Sequence, residues 1–254
     1  MGLPKSVWRW AFYDFANSSY ILTYVSLLLP LFFSTILIKN GYSLSAWGVA
    51  NAIATVLGVI GAVVVGKYSD RNNKFKAFKW SIYLSFIGMV VVALSVKYKL
   101  DWVYYLFIFT QAVYIVSLSL SDSILPHLAN DKDTYGYSGF AWGFGYVGGI
   151  FALVIVLLLQ KLTGDDYNPI VFLSTAFFYL VFSIYSLRGL KEVKMNEPLP
   201  MKKNHLINIF SATMSYCLFA EFIFNGINGA VDFFQALGRL VKKKAFLNVR
   251  VSKL

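Results

Sequence analysis

The sequence predicts an all-α membrane protein in which a bundle of six transmembrane helices is followed by a partial seventh helix. The chain is 58% hydrophobic and only 14% charged, whereas a soluble domain carries about 25% charged residues. Six apolar runs are each near or above the ~17–20 residues that a helix needs to cross a bilayer. The basic residues lie mostly between these runs, where positive charge sets the orientation of a membrane protein.

The apolar runs define the helices in order, and their approximate ranges are 10–38, 46–65, 80–96, 102–125, 138–159 and 169–187. Tryptophans lie near the span ends, where we expect them to anchor the chain at the membrane interface. A seventh run over 205–237 is weaker because acidic and amide side chains interrupt it. We therefore expect three regions: a six-helix transmembrane half over 1–188, a basic cytoplasmic link over 189–205, and a partial seventh helix with a basic tail over 206–254.

The distribution of Lys and Arg orients the predicted bundle. If the N-terminus is cytoplasmic, 13 of these residues lie on the cytoplasmic side of the six spans and 4 lie outside. Short cytoplasmic loops carry the excess positive charge of membrane proteins. We therefore expect a cytoplasmic N-terminus in a multi-pass protein of the cell membrane, or of the vacuolar membrane in a eukaryote. The remaining 6 form a tail that would lie outside if the seventh run crossed, so the sequence leaves open whether that run crosses.

Composition and motifs exclude several classes of function. The net charge of +11 does not indicate nucleic-acid binding, because the basic residues lie between membrane spans. The single cysteine, Cys217, excludes a disulfide framework and a cysteine metal cluster, and the two histidines share no metal-site spacing. The sequence contains no H-E-x-x-H motif and no glycine-rich phosphate loop. We therefore expect no enzyme activity, no cofactor and no metal site.

A short cationic segment separates the second and third runs and has the pattern G-x-x-x-D-R-x-x-K-x-K. Its key residues are Gly66, Asp70, Arg71 and Lys74. The pattern resembles the signature loop between helices 2 and 3 of the major facilitator superfamily of transporters, with Asn73 where that family usually has glycine. The resemblance implies a conformational latch on the cytoplasmic side. In such a latch a carboxylate pairs with a helix N-terminus or a basic loop.

Three further motifs narrow the resemblance. The chain reads Y-D-F-A-N-S-S-Y from residue 13, L-P-H-L-A from residue 125 and S-G-F-A-W-G-F-G-Y-V-G-G from residue 138. In this order they are similar to the first helix, fourth loop and fifth helix of the vacuole-effluxer-like branch, which comprises autophagy-related amino-acid effluxers and prokaryotic relatives. The resemblance implies a secondary transporter of small polar solutes, such as amino acids, with a proton or ion as coupling partner. A non-transporting membrane scaffold is the alternative function.

Polar side chains recur at helical spacing on three of the runs. The stripes begin at Tyr13 in the first run and at Glu221 in the seventh, and a third extends from Gln111 through Ser121 in the fourth. Polar groups in hydrocarbon are costly unless they face a partner or a watery cavity. In the superfamily helices 1, 4 and 7 line the central cavity, so the resemblance implies a substrate path. Its candidate residues are Asp14, Asn17, Tyr20, Tyr24, Gln111, Tyr114, Asp122, Glu221 and Asn225.

Other interpretations of these residues remain open. Tyrosines near span ends also suit an aromatic belt at the membrane interface. Asp14 and Asp122 lie within about two turns of a span end, so they also suit interfacial pairing with Lys or Arg. Glycines at four-residue spacing in the fifth run predict close helix packing. These packing candidates are Gly139 with Gly143 and Gly145 with Gly149.

The length of the chain bears on whether it can transport a solute by itself. Twelve spans of ~20 residues need about 240 membrane residues before any loops. The resemblance therefore implies that these 254 residues hold an N-terminal half and a truncated second half. The expected partners are the lipid bilayer and either a missing C-terminal half or a second copy, the latter making a natural half-transporter. In an isolated half we expect the polar residues Asn17, Tyr20, Gln111 and Asp122 to face lipid or a second copy.

Overall fold

The structure is a computed structural model, and it describes residues 3–42, 46–129, 133–164, 168–191 and 193. The predicted partial seventh helix and basic tail, with Glu221 and Asn225, lie outside the described residues, as does most of the predicted link. Throughout the described part every regular element is helical and no strand occurs. The all-α fold class predicted from the sequence is therefore confirmed.

Six helices are long and apolar enough to cross a membrane. They are α1 (Lys5–Leu37), α2 (Ala46–Arg71), α3 (Lys74–Lys97), α4 (Trp102–Asp122), α5 (Thr134–Thr163) and α6 (Pro169–Leu190), and a short 3₁₀ turn, Leu125–His127, follows α4. The chain is thus an integral multi-pass membrane protein. The helices extend beyond the apolar runs because helical hydrogen bonding continues into the charged residues at the span ends.

The segment that carries the predicted latch is mostly helical. Gly66, Asp70 and Arg71 belong to the end of α2, and Lys74 is the first residue of α3. Only Asn72 and Asn73 separate the two helices. Asn73 is in an extended conformation and its side chain accepts a hydrogen bond from the Lys76 amide at 2.8 Å. The residue thus caps α3, and glycine-like left-handed geometry is not what this position requires.

Helix α1 departs from α-helical geometry around its proline. The stretches Tyr20–Leu28 and Phe33–Leu37 are π-helical and flank a short α-helical turn, Leu29–Phe32, that contains Pro30. Proline has no amide hydrogen to donate within a helix, and the neighbouring amides accommodate it by bonding one residue further back. The amide of Ile38, for example, donates to the Phe33 carbonyl at 3.2 Å.

The six helices form two consecutive three-helix units, α1–α3 and α4–α6, whose members pack mainly on helices of the other unit. Helix α1 packs mainly on α5 and α6, helix α4 packs mainly on α2 and α3, and α3 packs on α6. These contacts have an internal symmetry. If α1 is exchanged with α4, α2 with α5 and α3 with α6, the same set of helix–helix contacts results. The start of α1 meets the end of α4 through Trp10 and Ser121, whereas Asn40 after α1 meets Asp101 before α4. The two units therefore have opposite orientations along the bundle.

The short connections place alternate helix ends together. The inner end, defined as the end that holds the start of α1, also holds the ends of α2, α4 and α6. Contacts of Trp8 with Phe140 and of Arg9 with Tyr185 bring the start of α5 and the end of α6 to it. The basic residues of the described chain concentrate at this end. We keep the prediction that the inner end is cytoplasmic.

Glycines form the two most extensive interfaces. On α5, Gly145 and Gly149 lie against α1, as predicted, and Gly148 lies closer still to the Phe15 carbonyl. On α2, Gly58 lies against Ile115 of α4. The predicted packing of Gly139 and Gly143 is wrong for the described chain, because both are exposed and a Cβ there would meet no atom within 4 Å. These two glycines face away from α1, on the side of α5 opposite to Gly145.

Candidate functional site

Helices α1 and α4 lie at the centre of the bundle, one from each three-helix unit, and their facing sides are polar. On α1 the side chains of Tyr13, Tyr20 and Tyr24 are fully buried, and Asn17 is 6% exposed. On α4 Tyr114 is 1% exposed, and Gln111, Ser117 and Ser121 are also buried. We call this set of facing polar residues the α1–α4 seam.

Hydrogen bonds join the two sides of the seam. The Tyr114 hydroxyl donates to Asn17 Oδ1, and the Tyr13 hydroxyl lies 2.7 Å from Ser117 Oγ. The Tyr20 ring stacks on the Tyr114 ring with centroids 4.1 Å apart. The predicted stripes on the first and fourth helices therefore face each other, and each side supplies partners for the other.

The outer helices add hydroxyl groups to the seam. Ser117 Oγ lies 3.5 Å from the Tyr179 hydroxyl of α6, and the Tyr24 hydroxyl donates to the Met89 carbonyl of α3 at 2.7 Å. Thr23 on α1 pairs with Thr175 on α6 at 3.0 Å. Ser117, Thr175 and Tyr179 were not predicted from the sequence. Single hydroxyls in an apolar helix carry little signal, because serine and threonine can bond to their own helix backbone.

Trp10 also belongs to the seam. Its Nε1 donates to the carbonyl oxygen of Ser121 at 3.0 Å and to Ser121 Oγ at 3.1 Å. The side chain is 2% exposed, so the expectation that it anchors the chain at the membrane interface is wrong. The same holds for Trp47, which is 7% exposed and stacks on Phe107. Both tryptophans are turned inward because another helix lies next to that span end.

The expectation that the polar residues of α1 and α4 face lipid or a second copy is wrong for Asn17, Tyr20 and Gln111, which are buried. The physical reason is that α1 and α4 cover each other, so the six helices enclose their own polar stripes. Asp122, in the last turn of α4, is exposed in the six-helix bundle.

Two buried polar atoms of the seam have no hydrogen-bond partner among the described residues. They are the Tyr20 hydroxyl and Gln111 Oε1. A buried polar group without a partner costs about 1–3 kcal/mol, and native structures usually satisfy such groups with protein or ordered water. The seam is therefore where a water molecule or a polar solute would find unused hydrogen-bonding capacity.

The acidic residues of the predicted path lie at the inner end of the seam. Asp14 is 7% exposed, and its side chain has no hydrogen bond or ion pair within the part of the chain that the structure describes. It lies close enough to Asp122 for the two carboxyl groups to interact electrostatically. The structure thus brings Asp14 and Asp122 together, which their separation in sequence did not indicate.

The predicted latch residues reach the same end through Lys74. Its Nζ forms an ion pair with Asp70 at 2.9 Å and lies 3.4 Å from the Ser123 carbonyl, directly after Asp122. The Lys74 side chain is 9% exposed, but that of Asp70 is 60% exposed, so the ion pair itself contributes little stability. Its effect is to position the α2–α3 turn against the end of α4. Gly66 and Arg71 make no such contact among the described residues, and Arg71 is exposed.

No group of three or more His, Cys, Asp or Glu side chains that could hold a metal ion occurs within residues 3–42, 46–129, 133–164, 168–191 and 193. The arrangement offers instead neutral hydroxyl, amide and aromatic groups along the seam and carboxyl groups at its inner end.

No protein-family model matches the chain, and its sequence matches no curated protein.

Proposed function

We propose that this chain forms one six-helix body of a secondary transporter that moves small polar solutes by alternating access. The observation that supports this most is the pairing of two three-helix units in opposite orientation. Inverted repeats of this kind are a common architecture of secondary transporters, in which the substrate site lies between repeats near the bilayer midplane. The signature segment between α2 and α3 and the three motifs of the effluxer branch support the same assignment.

The α1–α4 seam is the proposed substrate path. Tyr20 and Gln111 have unused hydrogen-bonding capacity there, and Asn17, Tyr24 and Tyr114 complete a set without formal charge. Such a set suits a small polar solute, and amino acids are the substrates that the family resemblance implies. Asp14 and Asp122 are the candidates for a coupling proton or ion, because carboxyl groups at membrane depth commonly serve in proton relays.

Alternating access requires two bodies that move around a shared site, so we propose that the six helices work with a second six-helix body. The exposed Gly139 and Gly143 leave a strip of α5 without side chains, and small residues let helix backbones approach closely. The Asp70–Lys74 pair lies at the same inner end and holds the α2–α3 turn to α4. In this proposal that pair is the latch that the second body engages.

Reconstitution into liposomes tests the proposed function. The purified chain, fixed as a monomer by dilution into excess lipid, is expected not to take up labelled amino acids. Uptake is expected when a second body is present, either as a cross-linked second copy or as a co-expressed second half. Uptake by a proven monomer would contradict the two-body proposal. The absence of uptake in every arm would favour the alternative, a membrane scaffold.

A substitution in the latch sharpens this test. Asp70→Asn removes the charge that pairs with Lys74 and is expected to leave insertion intact but to lower two-body uptake severalfold. The matched control is Asp101→Asn, which neutralises an exposed carboxylate at the opposite end of the bundle. Equal rates for Asp70→Asn and the unmodified chain would show that the latch assignment is wrong.

A further inference from the structure

Four cations lie together at the inner end of the bundle, where the start of α1 meets the end of α6. They are Lys5 and Arg9 of α1, one helical turn apart, and Arg188 and Lys191 of α6, and we call them the inner basic patch. Lys5, Arg188 and Lys191 are exposed and Arg9 is half-buried. The first turn of α1 contains no acidic residue, and the last turn of α6 contains Arg188. Within the described chain no carboxylate lies at ion-pair distance from any of the four.

Arg9 is held in place by α6. Its side chain runs directly over Gly189, where any Cβ would overlap it, and its Cζ lies 4.1 Å from the centroid of the Tyr185 ring. A cation–π contact orients the guanidinium but leaves its charge and its hydrogen-bond donors largely unused. The opposite dipoles of the α1 start and the α6 end offset each other. The patch therefore retains the positive charge of its side chains.

An aromatic surface continues from the patch toward the middle of the bundle. Trp8 is 40% exposed and packs edge-on against Phe140, with centroids 4.7 Å apart. Phe12 lies between α5 and α6, and its ring centroid is 5.0 Å from that of Phe144 and 4.5 Å from that of Tyr185. Charge at the helix ends and aromatic rings just below them match the headgroup and the upper acyl chain of a phospholipid.

The equivalent place between α3 and α4 is different. There the end of α3 meets the start of α4, and Lys97 and Lys99 lie near Asp101. The Asp101 carboxylate accepts a hydrogen bond from Asn40 Nδ2 at 2.7 Å. A carboxylate at this outer position opposes anion binding, whereas among the described residues no carboxylate lies at ion-pair distance from the four cations of the inner basic patch. Glu192, which follows Lys191, lies outside the described residues. Two sites related by the same pairing pattern thus differ in the feature that selects an anion.

We propose that the surface formed by the inner basic patch, Trp8 and Phe12 binds one anionic phospholipid of the adjacent leaflet. The phosphate lies among Lys5, Arg9 and Arg188, and the upper acyl chain lies along the aromatic surface. Basic sites between transmembrane helices on the cytoplasmic side are suited to anionic headgroups. The lipid would join α1 to α6, and this role is independent of whether the chain transports a solute.

Quenching of Trp8 fluorescence by brominated lipid tests the proposal on the full chain in phosphatidylcholine nanodiscs. The Trp8 signal is the difference between the unmodified chain and Trp8→Phe. Brominated phosphatidylglycerol is expected to quench it severalfold more strongly than brominated phosphatidylcholine at the same mole fraction. Each cation near an anionic surface contributes roughly a fivefold preference, so Arg9→Gln and Arg188→Gln should each lower the preference by about that factor. Arg9→Lys should keep most of it.

The matched control is Lys76→Gln, which removes an exposed cation at the same end of the bundle but on α3. It is expected to leave the preference unchanged. Equal quenching by the two lipids would overturn the proposal, as would an equal loss in Lys76→Gln and Arg188→Gln, which would indicate general surface charge. Loss of the preference in excess inorganic phosphate would also overturn it, because the site would then bind free phosphate. Arg188 is exposed, so its variant keeps the test valid if Arg9→Gln fails to fold.

Discussion

The two glycine interfaces of the bundle, α1 with α5 and α4 with α2, are equivalent contacts between the two three-helix units but are built differently. Between α1 and α5, a Cβ on Gly148 would overlap the carbonyl group of Phe15, and one on Gly145 would lie 2.8 Å from Ser18 Oγ and 3.1 Å from the Asp14 carbonyl oxygen. Between α4 and α2, a Cβ on Gly58 would lie 2.7 Å from Ile115 Cβ, so the first obstacle is a side chain. At Gly148 the first interface brings backbone to backbone, whereas at Gly58 the second brings backbone to side chain.

This difference indicates which of the two interfaces tolerates substitution. A side chain can turn or be shortened, whereas a carbonyl group moves only with its helix. In a membrane, helix association depends on close packing because lipid is as apolar as the helices. We therefore expect the α1–α5 interface to be the less tolerant of the two, and the following substitutions test that order.

Gly148→Ala should have the largest effect. The new methyl group overlaps the Phe15 carbonyl, so α5 must move away from α1, at the upper end of the about 1–3 kcal/mol typical of overpacking. The measurement is the midpoint of thermal unfolding in detergent. Gly143→Ala is the control on the same helix, where a Cβ meets nothing within 4 Å. Equal midpoints for the two variants would contradict the backbone contact.

Gly58→Ala should lower the stability by a smaller amount, about 1–2 kcal/mol. A second substitution, on α4, should restore part of that stability. Combining Gly58→Ala with Ile115→Gly removes the obstructing Cβ, Cγ2 and Cδ1 atoms and should recover part of the loss. A double-mutant cycle on unfolding midpoints measures that coupling. The same approach should fail for Gly148→Ala combined with Phe15→Ala, because the carbonyl remains. If the second pair recovered as fully as the first, the two interfaces would not differ in kind.

Tyr114→Phe should cost on the order of 1 kcal/mol. It removes the hydroxyl that donates to Asn17 Oδ1 across the seam between the two units. Tyr105→Phe is the control, because Tyr105 lies on the same helix and is 60% exposed. If Tyr105→Phe lowered the unfolding midpoint as much as Tyr114→Phe, the seam bond would contribute nothing particular to stability.

Gly139→Ala should have the smallest effect, within about 0.5 kcal/mol for a monomer, because the position is exposed and open. The measurement is again the unfolding midpoint, taken separately for monomer and for a cross-linked second copy. A loss confined to the second-copy sample would place this strip in an interface between two bodies. A loss in the monomer would contradict the exposed position.

Much of the fold could be predicted from the sequence, and less of the site could. The six spans were evident because each apolar run is long enough to cross the bilayer. The stripe from Tyr13 to Tyr24 was evident from its spacing, and the structure buries it as one face. The partners across the seam were not evident, since Trp10 and Ser121 are separated by 111 residues. Nor could spacing distinguish Gly139, which is open, from Gly145, which packs on α1.

The sequence by itself determined that the chain is helical and multi-pass and where each helix lies. The reason is local: in hydrocarbon each span must satisfy its own backbone hydrogen bonds, and a helix does so without help from other segments. The tertiary structure alone decided that α1 and α4 enclose the polar residues between them. It also decided that Arg9 lies over Gly189 without a carboxylate at ion-pair distance among the described residues. These features depend on which helix faces of distant segments meet, and no single span contains that information.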